Sequence, residues 1–229
     1  MLVLWVAFKG LASRLTPTYR TFCGGTILAP TKILTAAHCF VEDRSACIKL
    51  FMKVGHVGQK ELRQKFAVAG TLFNKGVRPK TDDTPEGQWR SLKDVLYPKR
   101  YKFPIKDIAI VFTTAPFNFN NHVNSIPYAT RYADYTGKCL VSGYGRITSL
   151  GKGDSGGPLV CTKTGEPNET SKGTLVGVVS GHRPYVGSFF TRVSSYYKYI
   201  KRNGSHRNNI NNALVILLAM LIHSQILSF

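Results

Sequence analysis

Short runs of strand-forming residues, each cut off by glycine, proline, asparagine or aspartate, limit most strongly how this chain can fold. They lie at Gly25–Leu34, Ile48–Val57, Lys65–Phe73, Ile108–Phe112, Lys138–Ser142, Leu159–Cys161, Leu175–Val179 and Ser188–Val193. Runs of this length and spacing predict an all-β barrel or sandwich. A helical period occurs at Val193–Arg202, where apolar residues 193, 196, 197 and 200 fall at i, i+3, i+4 and i+7. Lys201 and Arg202 suit the negative end of that helix, and Gly204 stops it. Met1–Phe8 is apolar but lacks a basic start, and it reads as a strand. Thr81–Arg90 reads as a polar loop, and Pro116–Pro127 as an irregular connector between two β-rich halves.

With 229 residues and 43% hydrophobic content, the chain can bury one sizeable core or two small barrels. The 31 basic and 12 acidic residues give a formal charge of +19. The basic residues are dispersed and no aromatic-interleaved nucleic-acid motif accompanies them, so the expectation is a solvated basic surface with no nucleic-acid partner. The five cysteines form no CxxC pair, which argues against zinc and for two disulfides plus an odd thiol in a secreted chain. Two sequons, Asn168-Glu169-Thr170 and Asn203-Gly204-Ser205, agree with secretion. Ala213–Leu221 is a purely apolar run, shorter than the roughly 20 residues a spanning helix needs. Small residues, the His206–Asn212 spacer and this tail fit a GPI-attachment signal, with a frayed hydrophobic end or a marginal membrane helix as the other readings.

Three motifs carry chemistry: Leu34-Thr35-Ala36-Ala37-His38-Cys39, Lys106-Asp107-Ile108-Ala109-Ile110 and Gly153-Asp154-Ser155-Gly156-Gly157-Pro158. Taken singly, each fits a bland reading: a packed core histidine, a strand-terminal cap, a glycine-rich turn. Taken together and in this order, they resemble the trypsin and chymotrypsin family of serine proteases. Cys23-Gly24-Gly25-Thr26-Ile27-Leu28, Cys139-Leu140-Val141-Ser142-Gly143-Tyr144-Gly145, Leu175–Ser180 and Thr191–Ser194 extend the resemblance over about Trp5–Arg202.

That resemblance implies a chymotrypsin-like fold of two antiparallel Greek-key β-barrels over residues 1–202. The first barrel would span about 1–115 and the second about 125–192, followed by a helix at 193–202; 203–229 would be a polar spacer and hydrophobic tail. It implies a serine endopeptidase with His38, Asp107 and Ser155 as the triad and the amides of Gly153 and Ser155 as the oxyanion hole. It further implies disulfides Cys23–Cys39 and Cys139–Cys161, with Cys47 left over. No cofactor or metal is implied; the partner is a protein or peptide substrate, and the protein is expected to be a secreted monomer, with membrane attachment only through the tail.

The spacing departs from the family. His38 to Asp107 is 69 residues and Asp107 to Ser155 is 48, against roughly 45 and 93 in the family's type enzyme. The extra length is expected as a surface loop in Gly76–Lys102. The missing length falls between Gly145 and Gly153, which leaves the second barrel incomplete and alters the specificity pocket. Ser149 stands at the pocket-floor offset, and Ser180, Gly181 and His182 at the opposite wall, where the family usually has Trp-Gly after the serine. The Ile-Val-Gly-Gly start of the activated family members is not found, so a shortened version of a normal protease is expected, with Asp154 as a buried unpaired charge. The competing functional readings are a catalytically silent homologue that binds a partner, and a basic membrane- or polyanion-binding protein.

Overall fold

The structure, a computed structural model, describes residues 5–13, 15, 17–41, 54–72, 74, 76–85, 87–143, 154–183 and 185–203. Cys47, Ser149, Gly153 and the 204–229 tail lie outside the described residues. The chain divides into two units, 1–195 and 196–229, and both β-sheets fall within the first.

Eight strands build the first sheet: β1 (Trp5–Ser13), β2 (Thr18–Ala29), β3 (Lys32–Thr35), β4 (Val54–Val57), β5 (Lys65–Ala69), β6 (Asp83–Thr84), β7 (Gly87–Pro98) and β8 (Ala109–Thr113). Six of them run in the order β7-β5-β1-β2-β3-β8, and β8 pairs back onto β7, closing a barrel. Closure satisfies every strand edge within the ring. β7 achieves it by serving two neighbours in turn. Phe66–Ala69 pair with Gln88–Ser91, whereas Thr113–Ile110 pair with Leu92–Leu96.

Period-2 alternation sorts the side chains. Val6, Phe8, Ile27, Ile33, Val95 and Val111 fill the interior. Phe66, Val68 and Trp89 form a second, smaller cluster with Tyr19. Lys9 lies beside it: 1% exposed, its Nζ sits 5.9 Å from the centre of the Trp89 ring and donates to Thr21 Oγ1 at 3.2 Å and Asn74 Oδ1 at 2.6 Å. Burial pulls the Lys9 ammonium down to a pKa of about 8.

The loop expected over Gly76–Lys102 is corrected here. Only 76–82 and the end at 99–102 are irregular; β6 and β7 lie between, with β7 at the barrel seam, so the polar loop read at Thr81–Arg90 is corrected too, since Asp83–Thr84 pair with Gly87–Gln88. The charged residues disguised β7. Arg90 is 4% exposed, pairs with Asp83 at 2.7 Å, and donates to the carbonyls of Pro116 and Trp89 and to Gln88 Oε1. These bonds also pin the connector, which carries no strand between Thr114 and Pro127, to the barrel wall.

The second sheet has four antiparallel strands in the order β12-β11-β10-β9: β9 (Cys139–Val141), β10 (Pro158–Cys161), β11 (Thr174–Arg183) and β12 (Gly187–Arg192). Among the described residues it does not close on itself, as expected for an incomplete second barrel. Cys139 and Cys161 stand directly opposite in the β9–β10 pair and are disulfide-bonded, with Cα atoms 4.0 Å apart. At the far end of the sheet a buried carboxylate organises the loops. Glu166 accepts from Thr130 Oγ1 at 2.7 Å, Tyr135 Oη at 2.6 Å and the Arg131 amide at 3.0 Å. Burial alone would raise its pKa, but these bonds and the Thr130 amide outweigh that and hold it at about 2. The same burial and the charged acceptor push the Tyr135 phenol up to about 12.

The second unit is described through its helical residues, 197–203, which follow a 3-10 turn at Ser194–Tyr196. Ile200 is fully buried.

Candidate active site

Strand β3 ends at Thr35, and a 3-10 turn, Ala37–Cys39, follows at once. The turn is fixed at both ends: the Phe40 and Val41 amides return to the Ala37 carbonyl at 3.0 Å, and Cys39 is disulfide-bonded to Cys23 on β2. His38 is thereby presented at the rim of the barrel with its side chain 23% exposed.

Asp107 precedes β8, the strand that pairs with β3, so register alone brings it to His38. Its side chain is fully buried. A bare carboxylate in that position would be costly, and the structure surrounds it with donors. Oδ1 accepts the His38 backbone N–H at 2.9 Å, and Oδ2 lies 2.8 Å from His38 Nδ1. Ser180 donates its hydroxyl to the same Oδ2. Thr191 Oγ1 donates to the Asp107 carbonyl at 2.8 Å. Both sheets therefore converge on one carboxylate, which leaves His38 Nδ1 as the proton-bearing nitrogen and Nε2 as the free lone pair.

Ser155 sits in a tight turn. The Gly157 amide donates to the Asp154 carbonyl at 2.8 Å, and Gly156, the third residue, has φ +81°. That is the signature of a type II turn, which requires glycine there. The position is also crowded: a Cβ on Gly156 would lie 2.2 Å from Thr35 Oγ1 and 2.5 Å from the Gly24 carbonyl oxygen. The turn is docked on the barrel by Gly24, whose amide donates to the Ser155 carbonyl at 2.7 Å. On the other side the Gly156 amide donates to the Val179 carbonyl at 2.7 Å. The Cys39 sulfur lies 3.8 Å from the Ser155 carbonyl oxygen and 4.0 Å from His38 Nε2, so the serine turn and the imidazole flank one sulfur atom. Among the described residues no hydrogen bond joins Ser155 Oγ to the His38 ring; such bonds often tighten only when substrate is bound.

The remaining site residues separate. Gly153 and Ser149 are outside the described residues. Ser180, expected at the pocket wall, is 3% exposed and turns its hydroxyl to Asp107. His182 is exposed and within 3.2 Å of Ser188 Oγ. At Gly181 the Phe189 ring takes the space a side chain would fill: a Cβ there would meet Phe189 Cζ at 2.5 Å. Phe189 faces Phe103 at 6.1 Å between ring centres, and Phe103 meets the His38 ring edge-on at 5.5 Å. Neither phenylalanine was among the sequence expectations, because no motif marks them. Asp154, expected as an unpaired buried charge, is half-buried and engaged by its surroundings. Cys23, His38 and Cys39 cluster tightly enough for a metal, but the two sulfurs are bonded to each other and offer no thiolate.

A family model described as Trypsin matches residues 5–152 and 148–200. The two stretches meet where the Asp107–Ser155 spacing is compressed. A protein named Trypsin from Saccharopolyspora erythraea is 25% identical over 218 residues, covering 80% of this chain and 86% of that protein. One model thus accounts for almost everything between the first strand and the C-terminal helix, and this chain belongs to the trypsin family of serine proteases.

Proposed function

We propose that the chain is a serine endopeptidase that cleaves peptide bonds through an acyl-enzyme, with Ser155 as nucleophile, His38 as general base and acid, and Asp107 as the group that orients the imidazole. The observation that carries this reading is the buried Asp107 carboxylate bonded to both the backbone and the ring of His38. A serine hydroxyl is a weak nucleophile at its own pKa, so attack on a carbonyl needs a base at hand. His38 Nε2 takes the Ser155 proton as the Oγ–carbonyl bond forms and returns it to the leaving amine. Asp107 keeps the Nδ1–H tautomer and stabilises the imidazolium. The amides of Gly153 and Ser155 receive the oxyanion; one such donor contributes on the order of 3 kcal/mol in the transition state. Protein or peptide is the substrate class, and an extracellular location fits the two disulfides. Attachment by a GPI anchor rests on the tail sequence alone; among the described residues no helix is long and apolar enough to cross a membrane.

A fluorophosphonate probe tests the reading directly. Labelling of the folded chain that disappears in Ser155→Ala is the expected result. The second reading, a silent homologue that binds a partner, rests on the altered pocket, with Gly181-His182 where the family usually has Trp-Gly, and a folded chain that resists the probe would support it.

A further inference from the structure

The two sequons lie outside the chemistry around His38, and the fold treats their asparagines differently. Asn168 is exposed, in a turn of the loop after β10. Its Nδ2 donates to the Tyr128 carbonyl at 3.4 Å, a long bond that needs only one of the two N–H groups. The loop does not depend on Asn168 for its shape. Glu169 holds it, accepting from the Thr164 amide at 2.8 Å, the Thr164 hydroxyl at 2.9 Å and the Gly165 amide at 3.1 Å. Asn203 is the opposite case. It is 4% exposed, and its Nδ2 donates to the Tyr199 carbonyl at 2.9 Å, satisfying a carbonyl of the last helical turn.

Asn168 also stands on the rim of an open cavity of about 430 Å³, lined by Leu28, Ile126 and Tyr128 and by Thr170 and Lys172. A pyranose has an apolar C–H face and a polar hydroxyl edge. Apolar and polar walls in one hollow suit that mixed character.

We infer that Asn168 is an N-glycosylation site whose first N-acetylglucosamine seats in this cavity, and that Asn203 carries no glycan. The donor is a polyprenyl-diphosphate-linked oligosaccharide of the secretory pathway. The bond from sugar C1 to the phosphate oxygen breaks and a C1–Nδ2 bond forms. The lipid diphosphate leaves, and one amide proton passes to solvent. The remaining N–H keeps the Tyr128 contact. On Asn203 the sugar would have to enter a buried site, so that modification is incompatible with the folded helix end. None of this rests on proteolysis, and a Ser155→Ala chain carries the same glycan.

The test uses the full chain with Ser155→Ala, directed into the secretory pathway of a eukaryotic cell by an added leader. Secreted and cell-retained fractions are both analysed. Peptide-N-glycosidase in heavy-oxygen water, followed by peptide mass spectrometry, is expected to convert Asn168 to labelled aspartate and leave Asn203 unlabelled. Asn168→Gln and Thr170→Ala are each expected to lose one glycan, and Thr170→Ser to keep it. Amide exchange over 124–128 is expected to be slower in the glycoprotein than in Asn168→Gln. An unmodified Asn168, or a labelled site at 203 in folded protein, would overturn the assignment; equal exchange would overturn the seat in the cavity.

Discussion

At Asp107, four protein groups compete for one carboxyl group and its carbonyl, and their contributions can be separated by substitution. Replacing Asp107 with asparagine offers the imidazole a donor where it needs an acceptor; a loss of about 10⁴-fold in kcat is expected, the cost of the same exchange in the family's type enzyme. Under the proposed function Ser180, bonded to Asp107, is a positioning residue. Ser180→Ala removes one buried hydrogen bond, a change of about 1 kcal/mol, so kcat is expected to fall about 5-fold with KM unchanged. A KM change of similar size would assign Ser180 to the substrate pocket instead. Ser180 shows a limit of sequence reasoning: the position was legible and the direction of the hydroxyl was not, because a residue on a strand beside the pocket has both choices. Glu166 is a second buried carboxylate, with a structural task. Its folded pKa of about 2 lies below the ordinary 4.5, so its contribution is complete above about pH 4.5 and is lost as pH falls toward 2. Glu166→Gln is expected to cost about 2 kcal/mol at pH 7 and to flatten the acid limb of stability, read by urea unfolding across pH.

β7 is the element on which the barrel depends most. Its first half holds β5 and its second half holds β8, so damage in the middle opens two seams at once. Leu92, 2% exposed, stands where the pairing passes from one neighbour to the other. Leu92→Ala is expected to cost about 3 kcal/mol, measured by chemical denaturation, because the cavity it leaves is walled by strands that cannot collapse inward. A cost under about 1 kcal/mol would mean the seam does not lie there. This strand was also the part of the fold least legible in the sequence. Arg90 and Gln88 look like surface residues, and their burial follows from partners far along the chain, Pro116 and Asn118, that no local pattern announces. β8 was legible as the apolar run after Asp107, but the single run read at Gly25–Leu34 is in fact two strands, the end of β2 and most of β3, parted by a turn at Pro30 and Thr31. The four strands of the second sheet were each legible too, since each contains a short apolar run bounded by turn signals.

On the scale of the whole chain, charge is the dominant property. A formal charge of +19 and an isoelectric point near 9.9 mean that the folded chain repels itself at neutral pH. Shortening the Debye length from about 30 Å to about 8 Å, by raising ionic strength from roughly 10 to 150 mM, is expected to raise the thermal midpoint by a few degrees. A midpoint that does not move with salt would mean the basic groups are already neutralised by neighbours. Composition made this property plain from the outset, whereas the meeting of two sheets at one carboxylate required coordinates.

The bond from the Gly24 amide to the Ser155 carbonyl has a further consequence. It makes the hairpin of β2 and β3 an unseen mount for the proposed nucleophile on the other half of the chain. A hunt for inactive variants would therefore turn up hits in that hairpin, in proteins that melt normally and still admit their peptides but whose serine has drifted out of line.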